Sequence, residues 1–347
     1  MLFELYELPF DAQGAHLLLG LALGLIFGIA AQISRFCLRR GLVAGPDRAP
    51  ALGTWAGALA TAIAATSAVI WAGWIDLSNH RLMTSDLPLL AIALGGLAFG
   101  VGMVLTRGCV SRLTVLGGTG NLRALTVLLV FALVAHATLK GVFAPVRVAL
   151  GSVTTDIGIA SLADLPGGLL TWAVLLVAGL FAAVAVLKPR PLHLVLAMAI
   201  GLLVTVGWIG TGWLLLDEFD PLPVESLAFT STWADTLFWS VASSSIPAGF
   251  GVGLIGGVFG GSFLSALIRG ELAFSSFSDA PQTLRYVAGG ALMGFGGVLA
   301  GGCTVGAGLS GVSMLSVAAI IALASIAAGA LLADRTLGRV PLMQPAE

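Results

Sequence analysis

Charge is the first thing this sequence lacks. Asp, Glu, Lys and Arg make up 10% of its 347 residues, while 58% are hydrophobic and the mean hydropathy is +1.04. A soluble domain carries about 25% charged residues, so this composition cannot build a water-exposed surface. That excludes a soluble enzyme and a disordered chain. Positive charge is not in excess either: 16 Lys and Arg stand against 17 Asp and Glu, which leaves no basic patch for nucleic acid. The three cysteines, Cys37, Cys109 and Cys303, are too few and too far apart for a disulfide framework or a zinc spacing. The four histidines (His16, His80, His136 and His193) are scattered. No phosphate-binding loop is present, so ATP hydrolysis is not encoded. The opening residues Glu4, Glu7 and Asp11 are acidic, which argues against a cleavable signal before the first span.

What the chain does have is long apolar runs. A helix needs about 20 apolar residues to cross a bilayer, and nine stretches qualify: 15–36, 52–75, 88–106, 122–143, 167–187, 191–216, 247–268, 284–301 and 313–333. None alternates in polarity every second residue, as barrel strands would. With the N-terminus outside, the inner side receives Arg35, Arg39, Arg40, Arg48, Arg107, Arg112, Arg123, Lys188, Arg190, Arg269, Arg285, Arg335 and Arg339. The outer side receives only Arg81, Lys140 and Arg147. This asymmetry obeys the positive-inside rule. It predicts a multi-pass membrane protein with its N-terminus outside and its C-terminus inside. The 217–246 connection carries Asp217, Glu218, Asp220, Glu225 and Asp235 with no basic residue, as suits an outer loop. Its stretch from Trp233 to Val241 reads as an interfacial helix. No soluble domain is expected after the last span.

Glycine is abundant, at 47 residues, and its placement repeats. Gly95–Cys109 reads GGLAFGVGMVLTRGC and Gly289–Cys303 reads GGALMGFGGVLAGGC, with eight of fifteen positions identical. A Gly-rich turn is expected after each cysteine, at Gly117–Gly120 and Gly306–Gly311. On the nine-span topology the two copies run in opposite directions, the pattern of inverted-repeat transporters whose sites form at broken helices near the midplane. Non-helical backbone at that depth is tolerated only where it is buried in protein or lines a cavity. Cys37 closes a weaker version of the pattern, with Gly24 and Gly28 at the same intervals before it as Gly96 and Gly100 before Cys109. The pair Gly256 and Gly260 looks like a partner of Gly24 and Gly28, but Arg269 stands where the cysteine would be. The chain therefore reads as an all-α polytopic membrane protein, one integral domain over 1–347 with repeat halves at about 15–187 and 191–333.

A thiol is polarisable, a weak donor and a weak acceptor, so it can touch a sulfur-bearing anion without trapping it. A conducting site must also release its ion. Arg35, Arg107 and Arg112 lie within three residues of a cysteine and could offset anionic charge. Arg39, Arg40 and Arg48 read as orientation anchors, Lys140 as a snorkelling residue, His136 as a structural hydrogen bonder, and the tryptophans as interface markers.

At these residues the sequence resembles the YeeE/YedE family of sulfur-compound transporters. The matching segments are Ser34-Arg-Phe-Cys37, Arg107-Gly-Cys-Val-Ser-Arg112 with Gly120-Asn-Leu122, Thr138-Leu-Lys-Gly141, and Gly301-Gly-Cys-Thr-Val-Gly-Ala-Gly-Leu-Ser-Gly311. The last differs from the family's GGCTIGNGLSG only at Val305 and Ala307. The resemblance implies an hourglass-like helical protein with short membrane-embedded helices. It further implies thiosulfate import through S–H···S hydrogen bonds along Cys37, Cys109 and Cys303, with Gly108, Gly302, Thr304, Arg107 and Arg112 beside them. A separate TusA-like cytoplasmic sulfur carrier is the implied partner, and no cofactor or metal is called for. Cys-Val-Ser-Arg departs from the small residues that many relatives have after the second cysteine. Another sulfur or selenium compound as substrate, or an intramembrane sulfurtransferase forming a cysteine persulfide, are the alternative readings.

Overall fold

The computed structural model describes residues 11–216 and 222–337. Glu4, Glu7, Asp217, Glu218, Asp220 and Arg339 lie outside the described residues. Each of the nine expected spans is a helix: α1 (Ala12–Ser34), α3 (Arg48–Trp71), α4 (Leu89–Leu105), α6 (Leu122–Lys140), α8 (Gly168–Leu187), α9 (Pro191–Ile209), α11 (Phe250–Arg269), α12 (Ala280–Leu299) and α13 (Val317–Leu337). Shorter helices join them: α2 (Leu38–Leu42), α5 (Val110–Gly118), α7 (Ala144–Gly151) and α10 (Thr230–Ala242). Among the described residues the only sheet is a two-residue antiparallel pair, β1 (Asp86–Leu87) with β2 (Thr155–Asp156). Eight of the nine spans are long and apolar enough to cross a membrane, with α1 continued by α2 over Ala12–Leu42 and α4 by α5 over Leu89–Gly118. The ninth, α12, begins with Gln282, Arg285 and Tyr286, and it enters the bundle as the packing partner of α4 and α6.

Two boundaries differ from the sequence reading for identifiable reasons. Helix α3 starts at Arg48 rather than 52, because Pro50 sits in its first turn, where a missing N–H costs nothing. Helix α13 starts at Val317 rather than 313, because Leu315 adopts a left-handed φ of 59°. Gly306–Gly311 is not the turn expected there but a short π-helix. The expected interfacial segment is a helix, α10, yet it docks into the bundle: Thr230, Thr232 and Ala234 are buried, and Trp233 Nε1 donates to Thr114 Oγ1 at 2.9 Å.

Glycine sets the packing. Lipid tails are as apolar as leucine side chains, so helices in a bilayer associate through close contact and backbone complementarity. Along α1, a Cβ at Gly20, Gly24 or Gly28 would collide with the carbonyls of Phe250, Leu254 or Val258 respectively, so α1 and α11 run parallel. From the other side Gly253, Gly257 and Gly261 of α11 meet the carbonyls of Leu17, Leu21 and Leu25. Gly256 and Gly260, which the sequence pairing singled out, face away, and nothing lies within 4 Å of a Cβ at Gly260. The likeness of these two spans thus reflects a mutual interface rather than a third repeat copy.

The duplicated segments also pack on each other, in the antiparallel sense. A Cβ at Gly95 or Gly296 would lie within 2.7 Å of the other's carbonyl oxygen, and one at Gly102 or Gly289 within 2.9 Å of the other's. Gly95 corresponds to Gly289 in the repeat, and Gly102 to Gly296, so the contact maps onto itself when the copies are exchanged. Each copy then takes a parallel neighbour from the other end of the chain. Gly100 of α4 abuts Ile326 and Ala330 of α13, and Gly294 of α12 abuts Phe131 and Ala135 of α6. These relative directions are those of nine alternating crossings.

Many polar groups inside the bundle are hydrogen-bonded, although the buried hydroxyls of Ser67, Thr230 and Ser265 are not. Ser34, Thr54 and Thr138 donate back to the carbonyls of Ala30, Pro50 and Val134, and Thr66 pairs with Thr205 across α3 and α9 at 2.9 Å. Large apolar side chains such as Ile26, Leu129, Leu133, Val174, Val195 and Ile268 remain exposed, as lipid-facing positions require. The glycine contacts generate a test. Overpacking costs about 1–3 kcal/mol or more where backbone must move. Gly257→Val is therefore expected to lower the melting temperature of detergent-purified protein sharply, and Gly260→Val to leave it nearly unchanged.

Candidate functional site

The three cysteines each follow a helix break. Helix α1 ends at Arg35 (φ 51°), α4 runs into Arg107 (φ 58°), and α12 runs into Gly301 (φ 76°), so the residue two places before each cysteine is left-handed. The first two breaks share one hydrogen-bond pattern. Arg35 N–H donates to Gln32 O and Phe36 N–H to Ala31 O, while Arg107 N–H donates to Val104 O and Gly108 N–H to Met103 O. Glycine is the usual occupant of such a position, because a Cβ there costs about 1–2 kcal/mol. Two of the three breaks carry arginine instead. Each cysteine then opens a new helix: Cys37 precedes α2, Cys109 precedes α5, and Cys303 leads into the π-helix.

These turns bring the thiols into sequence-distant contact. Cys37 Sγ and Cys109 Sγ are 4.0 Å apart, and Cys109 Sγ is 3.2 Å from Ser111 Oγ. The Thr304 hydroxyl lies within hydrogen-bonding reach of the Cys109 thiol. Its neighbour Cys303 accepts from the Gly306 N–H at 3.3 Å. All three thiols are free and buried. Among the described residues no group of three or more His, Cys, Asp and Glu side chains could hold a metal ion.

Open space approaches this line from both ends. One cavity of about 470 Å³ is bounded by His80, Arg81, Trp208, Glu225, Gly306 and Ser310, and so reaches the turn that carries Cys303. At the other end a cavity of about 630 Å³ is lined by Arg35, Arg39, Arg40, Arg107, Arg112 and Arg123, and it reaches Cys37. Cys37 also borders a smaller space of about 210 Å³ with Arg190, His193 and Arg269. Cys37, Cys109 and the Cys303-Thr304 pair therefore stand between an arginine-lined cavity and a mixed-charge one.

The mixed-charge cavity holds two groups with shifted titration, Glu225 and His80. Burial and the Asp235 carboxylate push Glu225 up to about 7 despite the nearby Arg81. Burial and the Arg81 charge push His80 down to about 4. At pH 7 His80 is thus neutral and Glu225 is half ionised. Trp208 packs edge-on to His80 with ring centroids 5.2 Å apart.

The residues expected from sequence fall in distinct places. Gly302 is closely approached, with a Cβ there 2.7 Å from Ala307 N, whereas one at Gly108 would find ordinary contacts of 3.4 Å. Arg112 donates to Ala31 O at 3.3 Å, and its charge acts on both Cys37 and Cys109. Lys140 is exposed at the end of α6, and His136 stacks on Phe238 with centroids 4.8 Å apart. Sequence reasoning missed His80, Glu225, Trp208 and the site role of Arg39, Arg40 and Arg81. No local pattern marks them: His80, Arg81 and Glu225 lie in connections, Trp208 on α9, and Arg39 and Arg40 on α2.

Comparison with known proteins bears on this arrangement. The family model described as sulphur transport matches residues 33–332. A curated relative from Escherichia coli (strain K12), named thiosulfate transporter TsuA, is 29% identical over 335 residues, covering 86% of this chain and 88% of its own. A second protein of the same name from Spirochaeta thermophila is 26% identical over 323 residues, covering 87% of this chain and 93% of its own.

The left-handed arginines yield a separable test. Arg107→Gly removes a Cβ from a strained position, and Arg107→Ala keeps it while losing the same charge. The glycine variant should be more stable than the alanine variant by about 1 kcal/mol, read as a higher melting temperature in detergent. Any loss of transport common to both then belongs to the charge.

Proposed function

The chain belongs to the sulphur transport family, and from that premise we propose that it imports thiosulfate across the bacterial inner membrane without covalent chemistry. The ion enters the cavity beside Arg81 and passes Cys303, Thr304, Cys109 and Cys37 in turn. It leaves through the cavity lined by Arg39, Arg107 and Arg112. The observation that carries this reading is the contiguity of Cys303-Thr304, Cys109 and Cys37 between two cavities, with the sulfur pair at 4.0 Å. The names of the relatives support thiosulfate as the sulfur compound.

The chemistry suits a doubly charged sulfur oxyanion. Such an ion must shed water to enter a bundle, and fixed cations at mid-path would hold it too long. Thiols, a threonine hydroxyl and the Gly306 N–H offer several weak donors instead. The guanidinium groups line the cavities at the two ends, with Arg112 the one whose charge acts on Cys37 and Cys109. Gly108 and Gly302 serve by bringing backbone close to the path. The inward direction follows from placing the arginine-rich face in the cytoplasm, where a TusA-like carrier would receive the ion. The whole works as one domain whose inverted halves span about 15–187 and 191–333.

Removal of a thiol should break the path. Cys109→Ala and Cys303→Ala are each expected to lower uptake of labelled thiosulfate by at least about tenfold while the protein stays in the membrane. Unchanged uptake in both variants would overturn the relay. Intact thiols by mass spectrometry after thiosulfate exposure separate transport from the sulfurtransferase reading, which requires a persulfide adduct.

The entrance adds a pH dependence. Glu225 is neutral below about 7 and negative above it, while the substrate stays doubly charged throughout. Repulsion at the entrance therefore grows as pH rises through 7, with Arg81 and Asp235 the charged groups that face Glu225. The KM for thiosulfate should rise between pH 6 and 8 (working values set about one unit either side of the midpoint). Glu225→Gln should flatten that rise.

A further inference from the structure

The helix breaks share one more feature. The carbonyl of each left-handed residue accepts a hydrogen bond from a guanidinium: Arg40 Nη1 to Arg35 O at 3.1 Å, Arg39 Nη1 to Arg107 O at 3.5 Å, and Arg81 Nη2 to Gly301 O at 3.2 Å. Each of these carbonyls lies two residues before a cysteine. We propose that Arg40, Arg39 and Arg81 are positioning residues, each latching the turn that aims one thiol into the path. The proposal rests on the transport reading for its purpose, but the latch itself is a matter of which thiol each arginine holds.

The physical case starts from the break. A left-handed residue turns its carbonyl out of the helix, where no intrahelical N–H can reach it, and here each such carbonyl takes a guanidinium donor, in exposed bonds at Arg35 and Gly301 and a part-buried one at Arg107. A charged donor makes a stronger bond than a neutral one and fixes the peptide plane. From that plane only two residues separate the carbonyl from the cysteine, so a rotation there carries the thiol with it. The same bond holds a strained backbone at Arg35 and Arg107, where no glycine relieves it.

The latches are built from different parts of the chain. Arg39 and Arg40 are neighbours on α2, the helix that Cys37 opens, so one five-residue element holds the turns of both Cys37 and Cys109. That element also carries the pairing of their sulfurs at 4.0 Å. Arg40 is steadied in turn by Asp47, at 2.7 Å. Arg81 comes from the connection between α3 and α4 and reaches Gly301 across 220 residues of sequence. It lines the 470 Å³ cavity, so the group that fixes the Cys303 turn also faces an arriving anion. Arg39 and Arg40 line the 630 Å³ cavity in the same way.

The test reads each thiol separately. Full-length protein in liposomes is treated with methyl methanethiosulfonate, and modification of Cys37, Cys109 and Cys303 is followed by peptide mass spectrometry in wild type and in R40Q, R39Q and R81Q. The latch predicts one-to-one changes: R40Q alters the rate at Cys37, R39Q at Cys109, and R81Q at Cys303. A change of about tenfold is expected at the shorter two bonds and less at Arg107 O, where the bond is longest. Where a glutamine variant does not fold, the lysine variant, which keeps the charge and one donor, is labelled instead and should show a smaller shift at the same cysteine. Reduced uptake with all three thiol rates unchanged would make the arginines charges only and overturn the latch. A uniform change at all three thiols would reduce it to general loosening and overturn it equally. If the transport reading itself fails, wild-type uptake of thiosulfate is absent while the one-to-one pattern persists.

Discussion

Every feature of this site follows from one constraint: backbone that leaves its helix inside a bilayer must be satisfied by the protein itself. Water is absent there, and each orphaned N–H or C=O costs several kcal/mol. Three helices nevertheless break, at Arg35, Arg107 and Gly301. The first two breaks close with the same pair of hydrogen bonds back into the preceding turn. A new helical segment begins within two residues of each cysteine or, at Cys303, through the π-helix over Gly306–Gly311. The unsatisfied stretch is thereby kept to two or three residues. Those few residues present the three thiols and the Thr304 hydroxyl, the groups that would face an ion on the proposed path.

Breaks of this kind need neighbours that hold their ends still, and glycine supplies the closeness. The antiparallel contact of α4 with α12 brings Gly95 against Gly296 and Gly102 against Gly289. Because those positions correspond in the repeat, the two breaks that follow, before Cys109 and Cys303, emerge at opposite ends of one local twofold. The ion path proposed above would draw on both copies, Cys109 from one and Cys303 from the other. Cys37 joins from α1, which the α11 backbone grips through six glycines. Packing of this tightness resists rotation of the helices, and it leaves the turns as the parts that can adjust.

The architecture was legible because both of its signals are periodic or repeated. Runs of about 20 apolar residues gave all nine helices, and even α12, whose polar start at Gln282 and Arg285 weakens its hydropathy, was marked by its likeness to α4. The antiparallel partnership of the duplicated segments could be read from charge bias and repetition together. What was not legible is two-body and long-range. Gly256 and Gly260 match the spacing of Gly24 and Gly28, but spacing does not say which face of α11 meets α1, and the contact uses Gly253, Gly257 and Gly261. The approach of Cys37 to Cys109 spans 72 residues. Arg39 and Arg40 carry the composition of an orientation anchor, and only their bonds to carbonyls at the breaks distinguish them from one. Glu225 and His80 sit in connections with no pattern at all, and their shifted titration is a property of the cavity that encloses them.

On the path proposed above, the distribution of charge would allow speed as well as selection. Arginines lining the cavities at both ends would raise the local concentration of anions, an effect that weakens with ionic strength. Between the ends lie thiols and Thr304, neutral groups whose hydrogen bonds are individually weak. A dianion held by one buried arginine would face a deep well, since Coulomb attraction in a low-dielectric interior is many times that in water. The same ion passed among several thiols meets a series of shallow ones. Sulfur suits this better than a hydroxyl, because its diffuse electrons accept contact from a terminal sulfur atom without demanding a fixed angle. A chain of cysteines flanked by cations is therefore the arrangement expected when the cargo is a soft, doubly charged ion that must be recognised and then released.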